Sequence, residues 1–143
     1  MVGSMKLGDI PVVSAQADVP ALELSGNATV LLGEIADRVR RLIDSGETAA
    51  IDLLAMPLNA ADLDWLRAQL GTGEIRITLE ADGQSTLHET CFPGVWWVMH
   101  HNPGGGVMSA FIEVTPVPEL VKAHLDDVRG GLARLQELIA GLQ

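Results

Sequence analysis

From residue 27 onward the hydrophobic positions change period several times, and each period predicts a different element. Leu31, Ile35, Val39 and Leu42 recur every three or four positions, with Ala28, Leu32, Ala36 and Ile43 beside them, which is the spacing of an amphipathic helix. Asn27 is placed to cap its start and Gly46 to end it in the left-handed conformation. Arg38, Arg40 and Arg41 fall in its C-terminal half, where cations suit the macrodipole. The apolar run 49–54, closed by Pro57, is short enough to predict a buried strand. Asn59, with an acid at Asp62, then opens a second helix whose Leu63, Leu66 and Leu70 share a face, and Gly71 stops it.

At Glu74 the period falls to two. Ile75, Ile77 and Leu79 alternate with Arg76, Thr78 and Glu80, and Asp82-Gly83 supplies a hairpin turn. A return strand over 84–91, a turn at Phe92-Pro93-Gly94, a strand over 95–101, a glycine-rich link over 102–106 and a strand over 107–115 complete a four-strand meander. Beyond Pro116 and Pro118, Leu125, Val128, Leu132, Leu135, Ile139 and Leu142 return to steps of three and four, predicting a helix that closes the chain. Gly130-Gly131 weakens that helix by about 1 kcal/mol per glycine relative to alanine, so a kink or a mobile tail is expected there. Its heptad-like spacing suits packing on the sheet or on a second copy, which leaves a homodimer open.

The predicted order is α-β-α-β-β-β-β-α. It describes one α+β domain over 27–143, with a mostly antiparallel sheet of about five strands and helices packed on one face. Residues 1–26 show no sustained period and are expected to be irregular, with at most a short strand over 10–13. Residues 1–4 read as an expression scar before Met5.

Composition narrows the function classes. The 143 residues are enough for a single core, and 48% hydrophobic with 20% charged residues belongs to globular chains rather than disordered ones. No apolar run approaches the ~18 residues of a membrane span, and the N-terminus lacks the basic-then-apolar pattern of a secretory signal. One cysteine, Cys91, allows no internal disulfide, which fits a cytoplasmic setting. A net charge of -10 argues against nucleic acid as a partner and favours a basic protein segment, although acidity is also how small domains stay in solution.

Candidate chemistry is sparse. His88, Cys91, His100 and His101 have residue types that suit zinc, yet adjacent strand residues face opposite sides, so His100 and His101 cannot easily reach one ion. Cys91 has no neighbouring cations to make it a nucleophile and reads as a small apolar residue. The run Gly104–Gly106 lacks the lysine and following helix of a phosphate loop. Trp96-Trp97 stands out. On a strand one indole faces the core and the other the opposite side, where it is either covered or exposed as a partner anchor. Trp65 is expected in the core.

The string Phe92-Pro-Gly-Val-Trp-Trp-Val98, followed by His100 and Asn102, resembles the most recognisable stretch of the HupH/HyaF hydrogenase expression proteins. Ile112-Glu-Val-Thr-Pro-Val-Pro118-Glu-Leu, and Lys122-Ala-His124 with Asp126-Asp127, resemble the segment after that family's hairpin. Residues 49–58 with Asp62 resemble its earlier strand and second helix, so the likeness spans about 27–128. The resemblance implies a cytoplasmic, non-enzymatic, chaperone-like accessory in maturation of uptake nickel–iron hydrogenases. Its client would be the iron–sulfur small-subunit precursor before twin-arginine export, and it implies no catalytic residues and no cofactor. Trp96, Trp97, His100 and Asn102 are the expected partner-binding residues. The alternative role is metal or iron–sulfur-cluster handling through His88, Cys91 and His100. Two features depart from the family pattern: members commonly carry a longer N-terminal half, and His101 stands where an aromatic residue is commoner.

Overall fold

The computed structural model describes residues 23–143, so the expected irregular segment over 1–22, with its short strand at 10–13, lies outside the described residues. Helix α1, Asn27–Ser45, forms on the predicted stripe and buries Ala28, Leu31 and Ile35. Gly46 ends it at φ 76°, its N–H donating to the Leu42 carbonyl. The N-cap is Gly26 rather than Asn27, whose side chain instead reaches across to the Pro57 carbonyl, Nδ2 donating at 2.8 Å. Strand β1, Ala49–Asp52, follows, then helix α2, Ala60–Leu70. At the start of α2 the expected capping box is present, with Asn59 Oδ1 accepting from the Asp62 N–H at 2.8 Å and Asp62 Oδ2 from the Asn59 N–H at 2.9 Å.

That box also fastens α2 to the segment before α1. The Asp62 carboxylate accepts from Ser25 N at 2.9 Å and Ser25 Oγ at 2.7 Å, and Asn59 Nδ2 donates to the Glu23 carbonyl at 3.0 Å. A fully buried Asp62 is tolerable because its oxygens are met by three donors. These hydrogen bonds hold its pKa below the ordinary carboxylate value of 3.8.

The meander runs β2 (Arg76–Glu80), β3 (Gln84–Glu89), β4 (Val95–His101) and β5 (Val107–Val114). With β1 paired on the far side of β5, the sheet order is β1-β5-β4-β3-β2, every neighbour antiparallel. Asp82 and Gly83 both take positive φ in the β2–β3 loop. A side chain on Gly83 would run into the His101 carbonyl, so this loop requires the residue it has.

Helices α1 and α2 cover one face of the sheet. Leu31, Ile35, Leu66 and Leu70 pack there on Ile51, Val95, Trp97, Ile112 and Val114. The other face has its own smaller cluster of Leu87, Trp96 and Val98, flanked by half-buried Ile77, Leu79 and Phe111. Trp65 is half-buried and belongs to neither cluster, contrary to expectation, because the α2 face that meets the sheet is the one carrying Leu63, Leu66 and Leu70. After a short 3-10 turn, Glu119–Val121, the chain enters α3, Leu125–Gly141. This helix runs unbroken through Gly130-Gly131 and, among the described residues, buries none of its side chains.

Candidate functional site

The Phe92-Pro93-Gly94 turn is pinned from three sides. Cys91 N donates to the Leu70 carbonyl at the end of α2, Val95 N closes back on the Phe92 carbonyl at 3.0 Å, and Thr115 N donates to the Gly94 carbonyl at 2.9 Å. The buried Thr90 side chain accepts from the Phe92 N–H at 3.1 Å. Gly94 sits at φ 88°, which favours glycine. Phe92, held by its backbone, leaves its ring half exposed at 51%.

Between this turn and α1 lies an apolar groove of about 350 Å³. Phe92, Pro93 and Val95 form one side and Leu32, Ile35 and Val39 the other, with little polar surface between them. Such a groove can take an apolar side chain of a partner, and it offers no nucleophile or acid–base pair. Its signal in the sequence is the width of the α1 stripe. Leu32, Ala36 and Ile43 broaden the apolar face beyond what the sheet covers, and Ile43 is 77% exposed.

Of the residues expected to bind a partner, the two tryptophans are packed into the fold. Trp96 and Trp97 do point to opposite faces, but neither is exposed, at 3% and 6%. Trp96 Nε1 donates 3.1 Å to the Thr115 carbonyl, so the chain leaving β5 is tied to the indole on the second face. Trp97 lies in the main core with the Arg67 guanidinium 4.9 Å from its ring centroid, and its Nε1 has no hydrogen-bond partner among the described residues. His100 is half-buried, its Nδ1 2.7 Å from Ser85 Oγ and its ring edge-on to Phe111. Asn102 is exposed but shapes the β4–β5 link, its Oδ1 accepting from Gly106 N at 2.9 Å and its carbonyl from Gly105 N at 2.8 Å.

The alternative ligand set is not assembled either. Register places His88 opposite Trp97, on the helix-covered face, and His100 opposite Ser85 and Ser109, on the other. Cys91 is an exposed free thiol in the turn. Among the described residues no three His, Cys, Asp or Glu side chains gather as a metal site. Burial first, then the Arg76 and Arg67 charges, holds the His88 imidazole below its usual pKa. On the opposite face burial raises the Glu113 pKa, Glu119 adding to the rise and His100 opposing it. No helix among the described residues is long and apolar enough to cross a membrane.

Comparison with known proteins places this geometry in context. Residues 26–142 match the family model described as HupH hydrogenase expression protein, C-terminal conserved region. The hydrogenase expression/formation protein HupH of Rhodobacter capsulatus is 28% identical over 117 residues, covering 82% of this chain and 42% of that protein. The hydrogenase-1 operon protein HyaF of Escherichia coli strain K12 is 27% identical over 119 residues, covering 83% of this chain and 41% of that protein. The chain therefore spans about two fifths of the length of these curated relatives. Among solved structures, the hydrogenase expression protein HupH from Thiobacillus denitrificans superposes with a TM-score of 0.81 at 52% identity, covering 83% of this chain and 99% of that one.

Proposed function

The chain belongs to the HupH hydrogenase expression protein family through its C-terminal conserved region, and from that premise we propose that it is a non-catalytic accessory in hydrogenase maturation. In this reading it acts in the cytoplasm and holds the iron–sulfur small-subunit precursor before export. The groove between α1 and the 92–94 turn is the holding surface, in place of the buried indoles. The observation that carries this reading is a half-exposed Phe92 set rigidly beside an apolar groove that no side chain of the described residues fills. A precursor that has not finished folding still exposes apolar side chains, and a preformed apolar groove gains by covering one. The net charge of -10 adds long-range attraction for a basic segment of the same client.

Purified domain immobilised on resin, challenged with the small-subunit precursor with and without its signal segment, tests the proposal. Wild type should retain the precursor and Phe92→Glu should lose most of it, because a carboxylate at the groove would be desolvated on binding. Phe92 is half exposed at a turn fixed by its backbone, so the variant keeps the fold, which circular dichroism checks. Equal retention by the variant, or none by wild type, would remove the groove from the mechanism.

A further inference from the structure

Helix α3 is an amphipathic helix with nothing on its apolar side among the described residues. Leu125, Val128, Leu132, Leu135, Ile139 and Leu142 are each 50% exposed or more, as is Leu138 beside them. A helix of 17 residues with two internal glycines is marginal in water by itself, since helices this short draw their stability from packing. Something must cover this face. The apolar spacing says what kind of surface fits it.

The six positions step 3, 4, 3, 4, 3, the a/d repeat that lets one helix form a seam with another. Taking Leu125 as a, every carboxylate of the helix falls away from the seam: Asp126 at b, Asp127 at c and Glu137 at f. The flanking e and g positions carry Arg129, Gln136, Gly131 and Leu138. A chain of net charge -10 would repel its own copy over most of its surface, but not here. Seven half-exposed side chains offer about 500 Å² of apolar surface per copy, so a symmetric pair would bury about 1,000 Å², the lower limit for a specific interface.

From the repeat, the placement of charge and the exposed area, we propose that α3 is a homodimerisation element, its a/d seam packing against the same seam of a second copy. This is independent of the groove and of the client. The pairing is isologous, and an interface of this size dissociates in the micromolar range.

Sedimentation velocity on the full chain, at roughly 5 to 200 μM to span that range, tests the proposal. The Cys91→Ser background is used so that the exposed thiol cannot link copies. The expected result is a rise from single to double mass across the series, and its loss in Leu132→Glu/Leu135→Glu. Because α3 buries nothing against the other described residues, that variant should keep the urea midpoint of the sheet. Single mass for wild type at the highest concentration overturns the proposal, and so does a dimer that survives the double substitution. If wild type stays single and instead loses precursor retention on the same substitutions, the face belongs to the client and not to a second copy.

Discussion

The two adjacent tryptophans permit a controlled comparison, because Trp→Phe removes the same atoms at both while the structure gives the two indole N–H groups opposite circumstances. Trp96 Nε1 donates 3.1 Å to the buried Thr115 carbonyl, and phenylalanine there leaves that acceptor without its indole donor at a cost of about 1 to 3 kcal/mol. Trp97 Nε1 is buried with no partner among the described residues, so phenylalanine there removes a desolvated donor and recovers about 1 kcal/mol. Against this, Trp97→Phe weakens the contact with the Arg67 guanidinium, worth about 0.5 kcal/mol at a partly exposed cation. Both changes share the cost of an indole-sized site refilled by a phenyl ring. The shared cost cancels in the difference, and Trp96→Phe should be the more destabilising of the two by about 2 kcal/mol.

Urea unfolding followed by far-ultraviolet circular dichroism measures this without relying on the fluorophores being changed. With a slope of about 2 kcal/mol per molar urea, the midpoints of the two variants should lie about 1 M apart. Equal midpoints, or a lower one for Trp97→Phe, would refute the assignment of hydrogen-bonding roles. Alanine at either position is a poor binding probe. Truncating a buried tryptophan costs about 3 to 5 kcal/mol, a large part of a small domain's stability, so lost binding would report unfolding.

Further expectations follow from other parts of the molecule. Asp62 has a lowered folded-state pKa, so its contribution is present above 3.8 and is lost as pH falls through the lower folded value. Asp62→Asn should therefore be less stable at neutral pH and show a flatter decline below about pH 4 in acid titrations read by circular dichroism. Gly73→Ala should lower stability by about 1 to 3 kcal/mol in urea, because the added Cβ would press on the Thr90 carbonyl, part of backbone that cannot yield easily. Ser85→Ala should cost about 1 kcal/mol, since half-buried His100 loses the hydroxyl 2.7 Å from its Nδ1, and its imidazole resonance should shift in NMR.

Much of the fold is legible in the sequence because local chemistry and tertiary structure agree. Gly46, the Asn59–Asp62 box, Gly71 and Asp82-Gly83 all do what their types predict, and the strand over 95–101 has the expected ends. The departures have tertiary causes. Asn27 fits a cap, yet its amide is claimed by Pro57, some 30 residues away in sequence. The β3 strand ends at Glu89, one pair short of the 92–94 turn, where the Thr90 N–H still donates to the Val95 carbonyl while its side chain grips the Phe92 N–H. Alternation shows that Trp96 and Trp97 face apart, but not that the chain after β5 is bound to the second indole. The period of α3 is equally plain, while its position off the sheet is not, because a seam repeat fixes the shape of a partner surface without saying which chain supplies it.

The same distinction separates the recognisable motif from the candidate site. Across Phe92-Pro-Gly-Val-Trp-Trp the backbone conformation of Gly94, the burial of Val95 and both indoles, and the Trp96 hydrogen bond account for one residue after another as structure. A string in which nearly every position has a packing or conformational duty is specific enough to identify a family while exposing little of itself to a partner. What it exposes is Phe92 and Pro93, and the groove beside them is completed by Leu32, Ile35 and Val39 from a helix some 55 residues earlier. The indoles stand out in the sequence because they are large, adjacent and rare, properties that serve a core as well as an interface. Deciding between those uses requires knowing what covers each face, and on the second face that depends on the Thr115 carbonyl, a backbone group with no side-chain signature.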